Sequence, residues 1–158
     1  MQNSIVRGFK SVLRFSGRDT RSQFWPYAGA AFALYVVASV PVSIILFLDN
    51  LEMPPDAPEH FFVAGGLMFA ALVALLAAAV ARRLHDSGLS GYWGLLPLPF
   101  VAYCSSMMLR LNSQFETGQP DMRLVISISA SFLLYSAALI WLIVLLARRS
   151  ASGPNRFG

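Results

Sequence analysis

Four uninterrupted apolar blocks constrain what this chain can fold into. Phe24 to Leu48, Phe61 to Ala81, Tyr92 to Leu109 and Leu124 to Ala147 contain no Asp, Glu, Lys, Arg or His. Each has about the 18–25 residues that a helix rising ~1.5 Å per residue needs to cross ~30 Å of hydrocarbon. Only 13% of the 158 residues are charged, against about 25% in ordinary soluble domains. The expected fold is an all-α integral membrane protein: four transmembrane helices in a bundle, forming a single membrane domain over residues 1–158. The third block is the least regular, because Pro97 and Pro99 remove backbone donors and should kink or unwind it. The first block lies too far along the chain, and is too long, for a cleavable secretory signal.

Ten of the twelve basic residues fall on one side if the spans alternate. Arg7, Lys10, Arg14, Arg18 and Arg21 precede the first span, Arg82 and Arg83 follow the second, and Arg148, Arg149 and Arg156 follow the fourth; Arg110 and Arg123 lie opposite. The positive-inside rule then places both termini and the Arg82 turn in the cytoplasm. Trp25, Trp93 and Trp141 stand toward the same ends, where indole rings anchor at the headgroups. The opposite loops, "DNLEMPPDAPEH" and "NSQFETGQPD", hold most of the acids and read as solvated connections, with His60 as a loop residue.

Ahead of the first span, Ile5, Val6, Phe9, Val12 and Leu13 recur at helical spacing with Arg7, Lys10 and Arg14 on the other flank. This predicts a short basic amphipathic helix within residues 1–17, lying in the headgroup layer and ended by Gly17. Thr20 and Gln23 fit a capping box at the start of the next helix, with Asp19 near its positive dipole end. In the second span Gly66, Ala70, Ala74 and Ala78 form a small-residue stripe suited to close helix packing; Ser127, Ser129, Ser131 and Ser136 do similar work in the fourth.

The stretch "RRLHDSG", Arg82 to Gly88, carries the densest chemistry. On a continuing helix Arg82 lies one turn from His85 and Asp86. Arg82 and Arg83 suit a helix C-terminus, Gly88 its stop and Ser90 the cap of the next helix. A His85–Asp86 acid–base pair is a weaker reading, since no nucleophile or metal cluster accompanies it. The alternative is a cluster of Arg18, Arg21, Arg82, Arg83, Arg148 and Arg149, with His85 and Asp86, that binds anionic headgroups.

Other classes lose support. "GGLMF" and "GLSG" lack phosphate-loop spacing, and topology explains the basic excess without nucleic acid. Cys104 has no partner cysteine, so no disulfide or cysteine-based metal site is expected. No cofactor is implied. The spans also lack the midplane ionisable group that ion-coupled carriers usually use.

Three segments together, "FSGRDTRSQFW", "ARRLHDSGLSGYWGLLPLP" and "SGPNRFG", resemble the bacterial inner-membrane family of domain of unknown function 805, the YhaH-like proteins. The resemblance marks Gly17, Arg18, Arg21, Trp25, Arg82, Arg83, Leu84, His85, Asp86, Gly88, Ser90, Gly91 and Trp93 as motif residues, and leaves open whether Asn155 and Arg156 share the family's role. It implies a bacterial inner-membrane location and supplies no activity. The expectation is a non-catalytic scaffold or accessory protein whose cytoplasmic Arg/Trp face engages anionic phospholipids, a membrane partner or a second copy. The alternative is an oligomeric channel or a small-solute or lipid transporter; an enzyme acting on a headgroup ranks third.

Overall fold

A computed structural model describes residues 2–52, 58–116, 121–153 and 157. Five α-helices account for most of them: α1 (Gln2–Lys10), α2 (Arg21–Glu52), α3 (Pro58–Asp86), α4 (Leu98–Glu116) and α5 (Met122–Leu146), with a 3₁₀ segment, Gly91–Leu95, before α4. Four stretches are long and apolar enough to cross a membrane: Arg21–Ile44, Val63–Asp86, Gly91–Leu111 and Met122–Leu146. They fall on the four uncharged blocks. The fold is all-α, with four membrane-spanning helices and a short additional N-terminal helix. Residues 53–57 and 117–120, which fall in the expected connections, and Asn155 and Arg156 lie outside the described residues.

The chain divides into two compact units, Met1–Gly91 with Arg149–Gly158, and Tyr92–Arg148. In the first, α2 packs on both α1 and α3. Its buried apolar residues gather near one end of the pair: Phe24, Tyr27 and Ala31 on α2, Ala78, Ala79, Ala81 and Leu84 on α3. The Tyr27 hydroxyl donates to the Leu75 carbonyl at 2.7 Å, tying the two helices at that end. Farther along, Val36, Val37, Val40 and Ile44 are exposed, as a lipid-facing surface requires. In the second unit α4 packs on α5, and the Cys104 thiol reaches the Ile128 carbonyl at 3.8 Å.

Local chemistry explains the boundaries. Gln23 reaches back to accept the Thr20 amide at 3.1 Å, which forms one half of the capping box before α2. Pro26 sits in the second turn and Pro41 mid-helix, and α2 runs through both. At the end of α3, Leu89 N–H donates to Leu84 and Gly88 N–H to His85. With Gly88 at φ +75°, this is a Schellman stop, a conformation that favours glycine. The third span breaks as its prolines require: the 3₁₀ turn ends at Leu95 and α4 starts at Leu98, with Pro99 in the first turn, where its missing donor costs no helical bond.

Three expectations are corrected. α1 ends at Lys10, not Gly17; the Ser11 amide and hydroxyl both turn onto the Arg7 and Gly8 carbonyls, closing the helix early. Gly17 belongs to the following bend. The α3 small-residue stripe is buried only at Ala78, while Gly66, Ala70 and Ala74 are exposed, because the buried contacts concentrate at the Asp86 end. The backbone of His60 lies in the first turn of α3 rather than in a loop.

Candidate functional site: an arginine–aspartate cluster at the end of α3

Two consecutive arginines at the end of α3 point to different acids. Arg82 Nε donates to Asp19 Oδ2 at 2.8 Å, and Arg83 Nη1 to Asp86 Oδ2 at 2.6 Å. The sequence placed Arg82 and Asp86 one turn apart on a helix face, yet Arg83, three residues from Asp86, makes the pair. Neighbouring helical positions diverge by ~100°, so Arg82 swings toward the segment between α1 and α2 and meets Asp19. Both guanidinium groups are removed from solvent: Arg83 is 0% exposed and Arg82 4%. Buried charges require partners, and the two carboxylates, themselves buried, supply them.

Arg82 also finishes α1. Its Nη1 donates to the Ser11 carbonyl at 2.8 Å and to the Arg14 carbonyl, and its Nη2 to the Ser11 hydroxyl at 3.1 Å. A cation is thus held on the turn just past the end of α1, near the negative end of the helix dipole. Asp19 receives a second cation from α1, Arg7, at 2.7 Å, and its amide bonds the Arg82 carbonyl at 3.2 Å. Close approach of α1 to α2 depends on Gly8: a Cβ there would stand 2.2 Å from the Tyr27 ring. Phe9 packs edge-on against the same ring at 5.2 Å.

Asp86 gathers the other half. Arg18 Nε lies 3.3 Å from Oδ1, and the Ser150 hydroxyl donates to Oδ2 at 2.5 Å. The Asp86 carbonyl accepts the Ala151 amide at 2.8 Å. Arg18 extends past the carboxylate to the C-terminal segment, giving Nη1 to Gly153 O at 2.9 Å and Nη2 to Ala151 O at 3.0 Å. The His85 ring lies flat on Phe157, with centroids 4.0 Å apart and planes at 8°. Segments distant in sequence, residues 18–19 and 82–86 with Ser150, Ala151, Gly153 and Phe157, therefore meet at one place.

The proposed headgroup residues do not share one environment. Arg82, Arg83 and Asp86 are buried, Arg18 and His85 are partly covered, and Arg21, Arg148 and Arg149 are exposed. Trp25, Trp93 and Trp141 are all about half exposed, at 42%, 43% and 51%. Sequence reasoning assigned Asp19 only to the helix dipole and overlooked Arg7, Ser11, Ser150 and Phe157. One signal was present: Asp19 and Asp86 are the two acids on the side holding ten bases. Among the described residues no group of three or more His, Cys, Asp or Glu is placed to hold a metal ion.

The three converging segments all lie within residues 12–158, the range over which the family described as Protein of unknown function (DUF805) matches. The chain belongs to this family. It is also similar to Inner membrane protein YhaI of Escherichia coli (strain K12), 28% identical over 95 residues, covering 60% of this chain and 70% of that protein. Inner membrane protein YhaI of Escherichia coli O157:H7 matches with the same values. These relatives carry the name YhaI, so the match reaches the family and not its YhaH-like members in particular. No solved structure matches. With four membrane-crossing helices, the family member described here is a multi-pass protein of the bacterial inner membrane.

Proposed function

We propose that the protein is a non-catalytic membrane scaffold whose basic N-terminal helix rests on anionic phospholipid headgroups at the cytoplasmic face. The observation carrying this reading is the strip along α1 and its following turn. Val6, Phe9, Leu13 and Phe15 are exposed there, Leu13 to 89%, beside the exposed cations Lys10 and Arg14. Large apolar side chains facing water are costly, whereas the boundary between headgroups and acyl chains accepts an apolar face flanked by lysine and arginine. An open groove of about 610 Å³ runs along the same helix, lined by Asn3, Val6, Arg7, Lys10, Ser11 and Arg14. A phosphate there would meet the cationic donors of Lys10 and Arg14.

Arg82, buried against Asp19, serves this reading by holding the turn after α1 in place rather than by touching lipid. Cytoplasmic placement of both termini rests on the basic-residue asymmetry. The transport alternative finds less support, since carrier sites use broken helices near the bilayer midplane and the break before Leu98 stands early in its span. Native mass spectrometry of the protein purified in mild detergent tests the proposal. Replacing Lys10 and Arg14 by Gln should lower the number of retained phosphatidylglycerol molecules while leaving the thermal midpoint unchanged. Retention equal to that of the unmodified chain would overturn the assignment.

A further inference from the structure

Arg7 belongs to two places at once. Its Nη2 donates to Asp19 Oδ1 at 2.7 Å, yet 46% of its side chain stays exposed and it lines the groove along α1 beside Lys10 and Arg14. The groove therefore gathers the cationic side chains of Arg7, Lys10 and Arg14 and no acid. Lys10 and Arg14 are exposed, and neither takes part in the ion pairs among the described residues.

Asp19 explains why Arg7 is the cation free to turn. The carboxylate has a second partner, Arg82, whose Nε reaches its other oxygen at 2.8 Å, with only 5% and 6% of the two side chains exposed. If Arg7 turns into the groove, Asp19 and Arg82 still neutralise each other, so no buried ion loses its counter-charge. Arg82 has no such freedom, because the Ser11 carbonyl also holds it. The half-exposed Arg7–Asp19 pair, by contrast, is screened by water and is given up at little cost.

Charge and oxygen count decide what draws Arg7 across. A phosphodiester headgroup brings a single negative charge and a pair of unbridged oxygens, which Lys10 and Arg14 can serve by themselves. A phosphomonoester carries about −1.5 to −2 charges at pH 7 and three strong acceptor oxygens, enough to engage a third cation. A guanidinium can meet two of those oxygens at once. Val6 lines the same groove, and Phe9 and Leu13 are exposed on the same helix and its following turn, so a phosphate held here has apolar side chains nearby for the acyl chains it carries.

We propose that the groove along α1 selects a lipid phosphomonoester, a headgroup of the phosphatidate type, and that Arg7 is the specificity-determining residue, leaving Asp19 for the phosphate while Arg82 stays behind. The inference rests on the headgroup reading above and names the class of lipid that site prefers. No covalent step is involved.

The test is a competition on the full chain in mild detergent at neutral pH, with phosphatidate and phosphatidylglycerol of the same acyl chains supplied in equal amounts. Native mass spectrometry reads the ratio of the two retained lipids. Phosphatidate should be retained several-fold over phosphatidylglycerol. Arg7→Gln should bring the two to equal retention, and Arg7→Lys, which keeps the charge, should restore most of the preference. Glycerol 3-phosphate, a monoester without acyl chains, should leave bound phosphatidate in place. Equal retention of the two lipids by the unmodified chain, or a preference that survives Arg7→Gln, would overturn the proposal; displacement of phosphatidate by glycerol 3-phosphate would overturn its lipid assignment. The headgroup reading is judged separately, because Lys10→Gln with Arg14→Gln lowers phosphatidylglycerol retention whether or not phosphatidate is preferred.

Discussion

Arg83 is wholly buried beside one carboxylate, and a guanidinium cannot shed its charge by titrating at any ordinary pH. Its stability therefore depends on Asp86 remaining in place. Arg82 is equally enclosed, but Asp19 and the carbonyls of Ser11 and Arg14 divide its donors. Arg82→Gln should thus act mainly on α1: trypsin cleavage after Arg7 or Lys10 should accelerate several-fold, because the cation that closes the helix end is gone. Gly8→Ala tests the same attachment sterically. The added methyl would lie within 2.2–2.8 Å of three atoms of the buried Tyr27 ring, so α1 must lift from α2. Overpacking of this kind costs about 1–3 kcal/mol. A lower thermal midpoint together with increased amide exchange across α1 is the expected outcome; unaltered exchange there would show that α1 is held in another way.

At the scale of elements, helix ends decide where side chains meet. The Schellman stop at Gly88 ends α3 just after Asp86, with the carboxylate still on the last turn. Replacing Gly88, at φ +75°, by Ala should cost about 1 kcal/mol, read as a modest drop in thermal midpoint with lipid retention intact. The spans, the Gly88 stop, the Thr20–Gln23 cap and the unwinding before α4 were legible because each depends on neighbours in sequence: hydropathy runs, glycine, hydroxyl-plus-amide spacing, prolines. The pairings inside the cluster were not. Whether Asp86 takes Arg82 or Arg83 depends on where Asp19 lies, and Asp19 is 63 positions from Arg82. The Ser150 and Phe157 contacts span still greater separations, beyond any helical periodicity. The Gly66–Ala78 stripe failed as a guide for a related reason: spacing describes a helix face without saying how far along it a neighbour extends.

For the whole molecule, the membrane supplies the solvent for an inverted surface. Large apolar residues are exposed along α2 and α5, among them Val37, Ile44, Phe132, Leu133 and Ile140, while charge is buried at the end of α3. The basic asymmetry predicts a cytoplasmic location for both ends of the chain. With Cys104 replaced by Ala, cysteines introduced at Asn3 and at Ser152 should both resist a membrane-impermeant maleimide in intact spheroplasts and react after permeabilisation; labelling of either before permeabilisation would reverse that end. Binding to anionic vesicles should weaken as salt rises, since screening acts first on exposed Lys10 and Arg14 and hardly on buried pairs.

The central claim is that Arg82 and Arg83 face inward and that Asp86 holds three distant segments together. Thermal unfolding of Asp86→Ala in detergent tests it directly, with Asp121→Ala, which removes the exposed cap of α5, as the comparison. Leaving Arg83 buried without its carboxylate should cost about 3–5 kcal/mol and lower the midpoint by roughly 10 °C, whereas loss of the α5 cap costs about 1 kcal/mol. Equal, small shifts in the two variants would contradict the account.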